Sequence, residues 1–332
     1  LTNSPVWQAY KKYQTSIEKH LPEGTPIRIQ LQKFKKSLGS TLDGRLTTFF
    51  RQQENRFRKK IKNLKRLKAA PSPQHINTVA GIEDIPDWKK LSFPVFEKPS
   101  VSIIIPVFNN CKFTYACLLS LLEHTSGSHE IIVVDNNSTD ATPQLLLDMQ
   151  GIQVITNKSN EVFVNACNHA AKLARGDYLL LLNNDTEVTS GWLGAMLAPF
   201  SDAETGIVGA KLVYPDGSLQ EAGGIIWRDG TGCNYGHGDN PSLPQYSYRR
   251  VVDYCSGACL MITRKLWEQL DGFDQRYAPA YYEDTDLCFA ARNLGYNVIY
   301  QPDALVVHYG GASAGKEGDS GYKRFQEINR HK

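Results

Sequence analysis

No stretch of this 332-residue chain is apolar for long enough to cross a bilayer; runs such as Tyr178 to Leu182 end after a few positions. Residues 1–20 hold no apolar signal core. Seven cysteines are scattered without a CxxC pair, so no zinc framework follows, and reduced thiols of a cytosolic protein are the simplest account. Neither GxGxxG nor GxxxxGKS/T occurs, which argues against a dinucleotide fold and against a P-loop. There is no internal repeat.

What is present is an uneven charge. Residues 1–100 carry 20 Lys and Arg against 8 Asp and Glu, a net +12; the remainder carries 17 against 26, a net −9. A basic arm suits anionic surfaces and an acidic body suits cations. The arm concentrates its charge between Arg51 and Lys68, with nine basic residues and one acid. Phe57, Ile61, Leu64 and Leu67 recur there at helical spacing, which predicts a basic amphipathic helix. Such a helix can lie on anionic lipid, bind nucleic acid or pack on a neighbour, with a plain solvated face as the alternative. Pro71, Pro73, Pro94 and Pro99 mark an extended linker. Residues 1–98 are therefore expected as a basic helical extension and linker, and 99–332 as a separate domain.

From Val101 the texture is that of an α/β protein. Val101 to Val107 and Glu130 to Val134 are continuous apolar runs, as buried parallel strands require. Helical patterns over 113–123, 141–150 and 163–175 alternate with strands at 152–156 and 178–182, predicting a doubly wound, mostly parallel sheet flanked by helices. Ligands of such sheets bind beyond the carboxyl ends of the strands, where Asn109, Asp135 and Asp185 fall. Further strands are expected at 207–214, 259–263, 297–300 and 304–307, and helices at 265–270 and 285–294. Residues 228–250, rich in Gly, Asn, Pro and Tyr, read as an irregular substrate loop or lid.

Three segments can carry chemistry. Asp185 ends a wholly apolar strand, where an ionised carboxylate must reach solvent or a cation; a turn cap is the structural alternative. Glu283, Asp284 and Asp286 follow Tyr281-Tyr282 at a helix start, where acids also serve as caps. Partial desolvation by the aromatic pair raises a carboxyl toward useful basicity, against the pull of the helix dipole. His308 ends the last strand, and neutral imidazole is a ligand for Mn²⁺ or a similar ion, although a lone histidine is more often structural.

Together VSIIIPVFN (Val101 to Asn109), IVVDNNSTD (Ile132 to Asp140), RGDYLLLLNNDT (Arg175 to Thr186), YCSGA (Tyr254 to Ala258), Gly272-Phe273-Asp274, YYEDTDLC (Tyr281 to Cys288) and His308 resemble glycosyltransferase family 2, in family order and spacing. The resemblance covers about residues 100–325 and implies a GT-A fold, with a nucleotide-binding half at 99–190 and an acceptor half at 191–325. It implies an inverting transfer from a nucleotide diphosphate sugar to a hydroxyl of a glycan or lipid-linked glycan, in bacterial-type surface polysaccharide or glycan assembly. Pro106, Phe108 and Asn109 would border the nucleotide, Asp135 and Asn137 would bind it, and Asn184 would lie near the donor sugar or ribose. Asp185 and His308 would hold a divalent metal, Mn²⁺ or Mg²⁺, and Asp284 would be the general base with Glu283 beside it. Two positions depart from the family pattern: Asn183 replaces the first acid of the DxD motif, and Val162 stands where glycine is common. The rival readings are a sugar nucleotidyltransferase and a non-catalytic scaffold docking through the basic arm. The expected location is cytoplasmic, peripheral at the inner face of the membrane through 51–68, with no nucleic-acid partner.

Overall fold

The computed structural model describes residues 88–310 and 320–332. The amphipathic helix expected at 51–68 lies outside the described residues. The elements in chain order are β1 Val101–Val107, α1 Cys111–His124, β2 His129–Asp135, α2 Thr142–Leu147, β3 Gln153–Thr156, α3 Val162–Leu173, β4 Tyr178–Leu182, β5 Thr186–Val188, α4 Trp192–Leu197, β6 Thr205–Val213, β7 Leu219–Glu221, β8 Gly224–Ile226, β9 Gly232–Asn234, β10 Arg250–Val251, β11 Cys259–Thr263, α5 Arg264–Gln269, α6 Glu283–Asn293, β12 Asn297–His308 and α7 Ser320–Asn329.

The main sheet runs β10-β12-β6-β11-β4-β1-β2-β3, with β5 paired to β12 and β7 to β6. Strands β1, β2, β3 and β4 are mutually parallel, and β11 is antiparallel to both β4 and β6. The apolar runs are continuous because both faces are covered. On β1, Ile103 and Ile105 join one core with Cys117, Leu118 and Leu121 of α1 and with Trp192 and Met196 of α4. Ile104 faces the other core, with Val164, Cys167 and Ala170 of α3 and Leu287 and Ala291 of α6. Successive strand residues point to opposite faces, so two cores leave no polar alternation to read.

Strand order reverses at β1: the chain passes from β1 to β2 and β3 on one side, then crosses to β4 on the other. A crevice opens at the carboxyl ends of β1 and β4, the place where open α/β sheets hold ligands. Two long-range pairings furnish it. Antiparallel β11 sets Ala258 beside the end of β4, where its carbonyl accepts from Asn183 N at 3.0 Å. Antiparallel β5 pairs Thr186 with His308, which returns the last strand to Asp185.

Three local outcomes differ from expectation. The two short strands at 297–300 and 304–307 are one strand, β12, with a register shift against β6 between Gln301 and Leu305. Pro302 lies in this interval, which fits the confinement of proline to bulges in a sheet. The loop at 228–250 contains half of a hairpin, β8 with β9. Residues 88–98, expected as linker, run against the α2–β3 connection: Leu91 and Phe93 are buried, and Gln150 bonds Leu91 O and Phe93 N at 2.9 Å each. All seven cysteines are free. Among the described residues no helix is long and apolar enough to cross a membrane.

Candidate active site

A cleft of about 330 Å³ opens at the carboxyl ends of β1 and β4. Asp185, Asn184, His308, Glu283, Asp284, Pro106 and Phe108 all line it, so seven of the ten residues expected from sequence share one cavity. Asn109, Asp135 and Asn137 are not among the lining residues. Asp135 is buried and accepts from Ser138 N at 2.9 Å, and Asn109 Oδ1 accepts from Thr139 N at 2.7 Å. Both shape the loop after β2, and Asn136 from that loop lines the cleft instead. Asn137 is exposed in the left-handed region, at φ 64°.

At one corner, Asp185 is 1% exposed, and its Oδ1 lies 3.2 Å from His308 Nε2 without a hydrogen-bond partner. His308 Nδ1 lies 2.8 Å from Gln220 Oε1. A carboxamide oxygen only accepts, so Nδ1 donates to it and Nε2 is the ring nitrogen that faces Asp185. Asn183 Nδ2 approaches the same nitrogen at 3.4 Å. Asp185 Oδ1 and His308 Nε2, 3.2 Å apart and both on residues that line the cleft, are two donor atoms between which a cation fits. The donor set, one carboxylate and one imidazole, therefore fits a divalent ion of the Mn²⁺ or Mg²⁺ type. Among the described residues no third His, Cys, Asp or Glu joins them, which leaves coordination positions for oxygens of a ligand. Asn184 Nδ2 donates to Thr114 Oγ1 at 3.0 Å and so ties the β4 end to α1.

At the opposite corner, α6 begins with both acids inside its first turn. Asp284 Oδ2 accepts from Gly257 N at 3.0 Å and Oδ1 from Thr285 N at 2.7 Å. Burial raises the Asp284 carboxyl above its ordinary range, opposed by these donors. Glu283 is more enclosed, has an Oε2 without a hydrogen-bond partner, and is raised well above the usual range by burial and then by the Asp284 charge. Burial thus pushes both carboxyls upward, Glu283 the more strongly, while the Gly257 and Thr285 amides favour the charged form of Asp284. Tyr281 and Tyr282 precede them at φ 76° and 73°, a strained turn that swings the acids toward the cavity.

Val162, the departure from the family pattern noted in the sequence, stands in the wall of the cleft, and residues not singled out there stand beside and behind it. Val162, in the left-handed region at φ 59°, and Asn160 and Phe163 line the cleft across from Ser256 and Gly257. Glu221 is 1% exposed; its Oε1 accepts from Ser256 N at 2.9 Å, its Oε2 has no hydrogen-bond partner, and burial lifts its carboxyl from 4.5 to about 8. The neighbouring Gln220 reaches His308. In a three-residue strand such residues leave no periodic signal.

The family Glycosyl transferase family 2 matches residues 102–270, about half of the chain. The O-antigen biosynthesis protein RfbC of Myxococcus xanthus is 30% identical over 244 residues, 68% of this chain and 18% of that protein. The N-acetylglucosaminyl-diphospho-decaprenol L-rhamnosyltransferase of Mycobacterium tuberculosis is 28% identical over 224 residues, 60% of this chain and 73% of that protein. The chain thus spans less than a fifth of the first relative and about three quarters of the second. Among solved structures, GalNAc-T7 with UDP, GalNAc and Mn²⁺ superposes with a TM-score of 0.52 at 17% identity, over 64% of this chain and 44% of that one. The chain belongs to glycosyl transferase family 2. It has the GT-A fold, and its family is one of glycosyltransferases.

Proposed function

We propose that the cleft transfers a sugar, with inversion, from a nucleotide diphosphate donor to a hydroxyl group of a glycan or lipid-linked glycan. The observation that carries this reading is the two-cornered cavity: a metal-competent Asp185 and His308 pair at one side and a desolvated Asp284 at the other. The rhamnosyltransferase relative is named for a lipid-diphosphate-linked sugar, and RfbC for O-antigen assembly, which supports a surface-polysaccharide setting. We assign the nucleotide to the half formed by 99–190 and the acceptor to the half formed by 191–325.

Asp284 takes the proton from the acceptor hydroxyl while that oxygen attacks the anomeric carbon, and the bond to the diphosphate oxygen breaks. Asp185 and His308 would hold the metal, whose chemistry is that of a Lewis acid for the departing diphosphate. Pro106, Phe108 and Asn184 line the donor side. Glu283, whose carboxyl burial raises well above the usual range, stands beside the base. The products are a glycoside and a free nucleoside diphosphate, whereas a nucleotidyltransferase releases pyrophosphate.

The reading is tested with a panel of nucleotide sugars scored for nucleoside diphosphate release. Asp284→Asn should lower kcat by about 10²- to 10⁴-fold with donor affinity kept; normal turnover in a folded variant refutes the base assignment. Asp185→Ala should abolish the Mn²⁺-dependent part of donor binding in calorimetric titrations. Equal donor affinity with and without Mn²⁺ in both proteins counts against the metal site.

A further inference from the structure

Strand β7 connects the two corners of the cleft. Adjacent residues of a strand face opposite ways, and here each meets a different functional group. Gln220 turns to the metal corner, where Oε1 lies 2.8 Å from His308 Nδ1. Its amide can approach this closely because residue 310 is glycine: a Cβ on Gly310 would stand 2.9 Å from Gln220 Nε2. Glu221 turns to the turn before β11, where Oε1 accepts from Ser256 N at 2.9 Å, and the next amide, Gly257 N, donates to Asp284 Oδ2 at 3.0 Å. Both side chains are buried, at 7% and 1% exposure, and β7 itself is held by antiparallel pairing to β6.

We propose that Gln220 and Glu221 are paired positioning residues, Gln220 fixing the His308 tautomer that faces Asp185 and Glu221 holding the Ser256–Gly257 turn against Asp284. The inference rests on the transferase reading of the cleft for its consequence, but its geometry is independent of it. With Gln220 accepting from Nδ1, the neutral ring directs its Nε2 lone pair toward Asp185. Without that acceptor the favourable tautomer is the other one, because Nε2–H then donates to the Asp185 carboxylate. A cation would then have to displace that proton. Glu221 acts as an acceptor rather than as a charge: burial keeps it protonated near neutral pH. Glutamine, which retains a carbonyl-type oxygen, should therefore replace it.

Nitrogen-15 spectra of the full chain labelled at histidine test the first half without metal or substrate, the His308 signal being assigned by its loss in His308→Asn. At alkaline pH the wild-type ring should carry its proton on Nδ1, and in Gln220→Leu the proton should move to Nε2. A wild-type ring protonated on Nε2, or an unchanged tautomer in Gln220→Leu, overturns it. In the same variant Mn²⁺ binding should weaken by about 10- to 100-fold, the usual effect of removing such a partner. For the second half, Glu221→Ala should reduce kcat at least about tenfold at unchanged donor KM, and Glu221→Gln should restore it. If the alanine protein does not fold, Glu221→Asp, which withdraws the acceptor by one methylene, takes its place against Glu221→Gln. Equal kcat in the paired variants overturns the Glu221 role. Absence of turnover in the wild type with every donor sinks the transferase reading instead, leaving the tautomer measurement to decide Gln220.

Discussion

Three buried acids near one another place an unusual pH signature on single residues. Glu221, Glu283 and Asp284 all bind their protons more tightly in the folded protein than in the unfolded chain, because burial disfavours the charged form. For Glu221 the window runs from 4.5 to about 8. Below it both states hold the proton and nothing is lost; within it the unfolded chain ionises first, so stability falls as pH rises, levelling off above the folded value. Glu221→Gln should remove this part of the slope. Urea unfolding between pH 5 and about 8 should be flatter in the variant, with the remainder of the slope left to Glu283 and Asp284. A slope equal to that of the wild type means the Glu221 carboxyl ionises freely.

Elements position these residues through close backbone packing. Strand β6 crosses the middle of the sheet, and a Cβ added at Gly209 would meet Cys255 Cβ at 2.2 Å and Sγ at 2.4 Å. Cys255 is buried and opens the turn that carries Ser256 and Gly257. Gly209→Ala should therefore cost about 1–3 kcal/mol in urea unfolding, the range for overpacking. It should also lower turnover through Gly257 and Asp284, although residue 209 does not line the cleft. Loss of stability without any change in turnover means the turn is held by other contacts. Elements were also the most legible level in the sequence. The runs over Val101 to Val107, Glu130 to Val134 and Tyr178 to Leu182 are strands within a residue or so of their expected bounds. Element type is local, and two-sided burial makes these runs unmistakable. By contrast, β12 read as two strands because Pro302 and Asp303 interrupt its apolar pattern, and only pairing with β6 on both sides of the bulge joins them.

At the scale of the molecule, charge is the feature that the cleft does not use. The excess of nine bases over one acid between Arg51 and Lys68 predicts binding of the chain to anionic vesicles. The whole chain should sediment with vesicles rich in phosphatidylglycerol at low salt. It should be released at about 1 M salt, where screening acts over roughly 3 Å. Replacing the Lys and Arg of 51–68 with Gln should abolish sedimentation while leaving nucleoside diphosphate release on a soluble acceptor intact. Salt-insensitive sedimentation, or none, rules out an electrostatic anchor.

The sequence by itself determined the class of fold and the chemistry of the strand ends, because buried strands and the polar residues that finish them are written in neighbouring positions. Asp185 was legible for this reason, and Asp284 because acids that open a helix after an aromatic pair also stand together in the sequence. Only the tertiary structure decided which of these ends meet. Pairing of β5 with β12 brings His308 to Asp185, the antiparallel insertion of β11 brings Gly257 to Asp284, and β7 sets Gln220 and Glu221 beneath both. The same geometry keeps Asn109 and Asp135 out of the cleft, since their side chains satisfy backbone donors of the loop after β2. Hydrogen-bond partners far apart in the chain are chosen by register and by desolvation, and neither exists until the sheet has closed on its two cores.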